Sequence, residues 1–114
     1  DDLDVVAGRM DVASNEAEEG SEEASDAALA AEVALAAATL AASQLGEIAR
    51  SELAKAIDRA SEAAAIAEHA AHRVEAWFTE TASLRAYSHS LEARASADAA
   101  VKTALVARTL KETR

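Results

Sequence analysis

Apolar or small residues return every three or four positions along almost the whole chain. In the N-terminal half the series runs Leu3, Val6, Met10, Ala13, Ala17, Gly20, Ala24, Ala27, Ala31, Ala34, Ala38, Ala41, Leu45 and Ile48. A bulkier stripe, Leu29, Val33, Ala36 and Leu40, overlaps it. Together they predict a helix with an apolar face broad enough to meet two neighbours. A second register, Leu53, Ile57, Ala60, Ala64, Ala67, Ala71, Val74 and Phe78, is free of slips. It is shifted relative to the first, and the shift falls beside Gly46 in "SQLGEIARS". A helix end, a kink or a coiled-coil stutter there would each account for it.

The repeat is interrupted in "FTETASLRAYSHS", where Thr79, Thr81, Ser83, Ser88 and Ser90 supply hydroxyls that compete for backbone hydrogen bonds. The main reversal is expected near residues 79–83, with Thr81 or Ser83 as the next N-cap. A last helix is expected to run on through Leu84, Tyr87, Leu91, Ala95, then Val101, Leu105 and Val106, to Leu110. The acidic stretch 15–26 reads equally well as a solvated helix face or as a loop. Asn15 to Glu18 resembles a capping box there, and Gly20-Ser21 is a candidate break.

Composition points the same way. Alanine, the best helix former, supplies 34 of the 114 residues, proline is absent and glycine occurs three times. Only 24 apolar side chains are larger than alanine, too few to fill a wide core. The expected fold is therefore all-α: one elongated domain over 1–114, an antiparallel bundle of two to three long helices with alanine-rich heptad packing.

Charge narrows the function. Residues 1–26 carry ten acids against Arg9 alone, while the rest of the chain is near neutral within a net charge of −10. No basic face is present to displace counterions from a phosphate backbone, so nucleic acid is not an expected partner. Adhesion to an anionic membrane surface is disfavoured for the same reason. "ALAAEVALAAATLAA", Ala28 to Ala42, is short for a membrane span and contains Glu32. It is expected to face neighbouring helices, with Glu32 exposed and Ala31, Ala34 and Ala38 buried, and no direct membrane insertion is expected. The chain starts on Asp1-Asp2 with no basic and apolar leader, so an exported form is expected to be a trimmed one. Cysteine is absent, which removes disulfides and thiolate chemistry.

Candidate chemistry is sparse. "EHAAHRVE" places His69 and His72 beside Glu68 and Glu75, but two histidines on one helix lack the facing Glu-x-x-His that a di-iron bundle requires. His72 is expected to flank the core and pair with Glu68. None of the ten serines sits in a strand–turn–helix elbow, and no Gly-rich phosphate loop occurs. No catalytic, cofactor-binding or metal-binding residues are therefore assigned, no cofactor is expected, and the chain reads as a non-enzyme. Trp77 and Tyr87 form a candidate interaction tip, although aromatics there also suit the capping of a bundle end. Leu53, Ile57, Val74 and Phe78 form a candidate packing seam.

Long stretches such as "ASNEAEEGSEEASDAALAAEVALAAATLAA" resemble the glutamic acid/alanine-rich and alanine-rich surface-coat proteins of African trypanosomes. The resemblance lies in composition and periodicity over residues 3–112. It implies an exported, lipid-anchored ectodomain standing on the cell surface, a non-enzymatic coat, and self-association or a host or vector surface ligand as partner. It carries over no catalytic residues. The rival reading is a cytoplasmic coiled-coil scaffold module that pairs through the Leu53–Phe78 seam. Amphipathic association with a lipid surface is a third.

Overall fold

The computed structural model describes residues 2–112 as three α-helices: α1 (Asp2–Ala42), α2 (Glu47–Thr81) and α3 (Leu84–Glu112). Every helix packs on the other two. Both connections are short reversals, so α1 and α3 run parallel to each other and antiparallel to α2. The product is a rod of 68 × 17 × 13 Å. Its radius of gyration, 18.1 Å, exceeds the ~13 Å of a compact chain of this length.

Each helix ends for a local reason. After α1, the Ser43 N–H donates to the Thr39 carbonyl and its Oγ to that of Leu40. Gly46 then turns the chain at φ +108°, a conformation that side-chain-bearing residues avoid. Its carbonyl accepts from the Arg50 N–H to begin α2. The register shift beside Gly46 is thus a full reversal. At the other end Ala82 adopts the left-handed conformation, φ 52° and ψ 26°, and donates its N–H to the Phe78 carbonyl at 2.7 Å. Ser83 caps α3: its Oγ accepts from the Ala86 N–H at 3.4 Å. The reversal falls within the 79–83 window, with Ser83 as the cap.

The interior is built from alanine. Among the described residues, twenty-one of the twenty-four buried apolar ones are alanine, joined by Leu53, Ile57 and Val74. α1 contributes Ala17, Ala24, Ala27, Ala31, Ala34, Ala38 and Ala41, and Glu32 is exposed beside them, as the register predicts. α2 widens its expected stripe with Ala56, Ala63 and Ala70, giving it one flank for α1 and one for α3. From α3 the buried residues are Ala86, Ser90, Ala93, Ala97, Ala100, Ala104 and Ala107. No buried residue of α3 is larger than serine.

Three expectations are corrected here. The bulky α1 stripe does not face neighbouring helices: Leu29, Val33 and Leu40 are 57, 70 and 63% exposed. On α3, Leu84, Tyr87, Leu91, Leu105 and Val106 are also exposed, and Val101 and Leu110 only half-buried. Small and large stripes compete for the interior on both helices, and the small ones win. Methyl-sized seams let three backbones approach closely along their whole length, whereas a few leucines would prop them apart and forfeit dispersion contacts elsewhere. Finally, of the two readings of the acidic stretch 15–26 the solvated helix face holds and the loop does not; no helix starts at Asn15, and Gly20 does not break α1. α1 is continuous because Ser14, Ala17, Gly20, Ser21 and Ala24 are buried against the bundle while the acids face water. Of the first register, Leu3, Val6, Leu45 and Ile48 are exposed, and the side chains of Met10 and Ala13 lie outside the described set.

Candidate interaction surface

The seam residues are consumed within the chain. Leu53, Ile57 and Val74 are buried in the common core, and Phe78 is half-buried against it. A partner pairing through Leu53–Phe78 would have to displace the chain's own helices, so that docking site is corrected. Any partner must meet the outward faces.

The proposed tip divides. Trp77 is half-buried on the α1 side, beside Val5, Val6 and Val12 in an open groove of about 760 Å³. Tyr87 is 45% exposed on the other side, its ring 5.0 Å from that of Phe78 and tilted by 49°. The Phe78–Tyr87 pair closes the α2–α3 end, where alanine cannot fill the space as the helices part.

Polar clips set the register of each helix pair. On α2, Arg73 reaches Glu23 at 3.0 Å and Glu16 at 3.6 Å, both on α1. On α3, Arg94 donates to Glu68 at 3.0 Å and, through Nε, to Glu75 at 3.0 Å, both on α2. Each arginine thus enters between two glutamates two turns apart, which lie on one helix face. The hydrogen bonds to Glu75, then Glu68, raise the Arg94 pKa above its ordinary value against the opposing effect of burial. Between α1 and α3, Ser21 Oγ donates to Glu92 at 3.2 Å, and the His89 ring lies 3.3 Å from the same carboxylate.

These clips absorb the "EHAAHRVE" constellation. His72 lies 3.5 Å from Glu68, but Glu68 and Glu75 both serve Arg94, and His69 points into solvent. Among the described residues no three His, Asp or Glu side chains converge where a metal ion could sit. Three of the buried serines have structural roles: Ser83 caps α3, Ser21 binds Glu92, and Ser90 Oγ donates to the Tyr87 carbonyl.

The principal chemical feature is therefore the outer surface. Fifteen apolar side chains larger than alanine are exposed among the described residues. They group by face, with Leu29, Val33 and Leu40 on α1, Ile66 on α2, and Leu91, Leu105 and Val106 on α3. Soluble monomers expose single apolar residues freely, whereas contiguous patches mark association surfaces. The spacing of these residues is legible in the sequence, but their direction is not. Within Ser14–Ala42, α1 also holds an 18-residue window apolar enough to cross a membrane by length and composition, a test that buried core helices pass as well.

A scan against protein-family models finds no match to the chain, and no curated protein or solved structure matches it.

Proposed function

We propose that this chain is a non-enzymatic structural rod that acts through its side faces, as a helical scaffold or interaction module. One observation carries the reading: among the described residues the buried apolar set is almost all alanine, while fifteen larger apolar side chains are exposed. A rod that fully buries only Leu53 among its described leucines leaves the exposed ones for other surfaces. The support is physical, since large exposed apolar groups cost solubility unless a partner covers them.

A surface-coat protein is the second reading. It is favoured by the elongated shape, by the charge asymmetry that gives residues 1–26 ten acids, and by the resemblance to trypanosome coat proteins. In that form, rods anchored by a lipid would stand side by side, with the acidic ends kept apart by repulsion and hydration.

Photo-crosslinking residues placed at Leu29, Leu91 and Leu105, in cells that make the protein, test the reading. Adducts to protein from at least one face are expected. Silence from all three positions would overturn it. Labelling of the intact cell by an impermeant reagent separates the coat form from the cytoplasmic one.

A further inference from the structure

The face between α1 and α2 carries more than exposed leucines. Two adjoining hollows run along it and share Ala30, Ala63 and Ile66. One end is acidic, with Glu19, Glu22, Glu23 and Asp26 on its rim. The other end holds Arg59, beyond Val33 and Ala37. Small side chains floor the groove, while Val33 (70% exposed) and Ile66 (49% exposed) rise beside it.

The charges at the two ends are not spent inside the chain. Glu23 is taken by Arg73, but Glu19, Glu22 and Asp26 have no ion-pair partner among the described residues, and neither has Arg59. Lys55, one turn from Arg59 on the same face of α2, has only a long contact of 3.7 Å to exposed Glu52. Gly20 packs against Val74 and Ala70, which fixes how α1 and α2 align. That alignment places Lys55 and Arg59 level with residues 33–37 of α1. The unpaired acids and the unpaired cations are then separated by about eleven residues, roughly 16 Å along the rod.

We infer that this groove binds a second copy of the same chain, antiparallel, about a two-fold axis passing near Ala30 and Ile66. The inference rests on the scaffold reading and names its partner and surface. A two-fold axis across the rod brings Glu22 and Asp26 of one copy level with Lys55 and Arg59 of the other, across the shared groove, and the reverse. Leu29, Val33 and Ile66 of both copies meet at the centre. The same patch serves both partners, so the assembly closes as a dimer. A parallel arrangement would set acidic end against acidic end, and like charges in register cost affinity. Glu62, one turn from Arg59 and close to the axis, is the one acid the pairing must seat.

Light scattering against concentration, joined to spin-label distances, tests this directly. The chain has no native cysteine, so Asn15→Cys gives a single label on an exposed site of α1. Antiparallel pairing about Ala30 places the two labels about 45 Å apart, and parallel pairing brings them within about 20 Å. Val33→Asp with Ile66→Asp is expected to abolish the dimer while far-UV circular dichroism shows the helices intact. The charge reversals Lys55→Glu/Arg59→Glu and Glu22→Lys/Asp26→Lys should each weaken self-association about tenfold or more, and an equimolar mixture of the two should restore it. Glu62→Gln should tighten it. A strictly monomeric chain at every concentration, or a dimer with the short label distance, would overturn the inference. Neither outcome alters the crosslinking result on which the scaffold reading depends.

Discussion

Val74 occupies the space that a side chain at Gly20 would need. A Cβ built on Gly20 would fall 2.4 Å from Val74 Cγ2, far inside contact distance, and Val74 is the largest fully buried side chain described. The glycine in mid-helix is therefore a seat for α2, not a break in α1. Propensity alone says that Gly20→Ala should stabilise an exposed helix by ~1 kcal/mol. Here the stiff, β-branched Val74 cannot swing aside cheaply. Urea denaturation of Gly20→Ala is expected to show a net loss of about 1–2 kcal/mol. The double variant Gly20→Ala/Val74→Ala should be more stable than the sum of the two single changes, because the clash is removed. A stabilised Gly20→Ala protein would refute the contact.

Exchanging small for large in the α3 seam tests the alanine interior. Ala97 is fully buried, and Ala97→Leu is expected to destabilise by about 1–3 kcal/mol through overpacking. The converse change outside, Leu40→Ala, should move the stability of the isolated bundle by no more than about 0.5 kcal/mol. The opposite ranking would mean that the bulky stripe faces inward after all. Thermal unfolding followed by far-UV circular dichroism reads both.

Ala82 sits in the left-handed region at φ 52°, where a Cβ costs roughly 1–2 kcal/mol relative to glycine's freedom. Ala82→Gly is expected to raise stability by about 0.5–1 kcal/mol once the extra entropy of glycine in the unfolded chain is subtracted. Its neighbour Ser83 works in the other direction. Ser83→Ala removes the N-cap acceptor of α3 and should cost about 1 kcal/mol. Both are measured as shifts of the denaturation midpoint at constant slope.

Arg94 holds two carboxylates on α2, and its side chain is 31% exposed. Partial exposure and salt limit what the clip contributes, so Arg94→Gln is expected to cost about 1 kcal/mol, shrinking as ionic strength rises. Lysine cannot span two acids with a planar fork, so Arg94→Lys should recover less than half of the loss. A loss that does not depend on salt would assign Arg94 a packing role instead.

Much of this architecture is legible in the residues themselves. Every member of the register from Ala17 to Ala41 is buried, with Glu32 in water beside it, and only Ser21 joins that face unforecast. The seam from Leu53 to Val74 is likewise forecast, and so is the reversal near Ser83. What misleads is size. Leu29, Val33, Leu91 and Leu105 look like core because larger groups gain more from burial, yet all four are exposed. The candidate interaction surface is hidden in the sequence for that reason: its members fit a core pattern equally well.

By itself the sequence determined helix everywhere, since an alanine-rich, proline-free chain with a persistent three-four repeat has no competing local structure. It also determined thinness, because methyl groups cannot hold helices apart around a wide core. Only the tertiary structure decided which of two apolar stripes on α1 and α3 turns inward. That choice depends on three surfaces fitting one another simultaneously, with Gly20 admitting Val74 and the two arginine clips fixing the register. Such a fit is a property of the assembled bundle, and no single helix carries it.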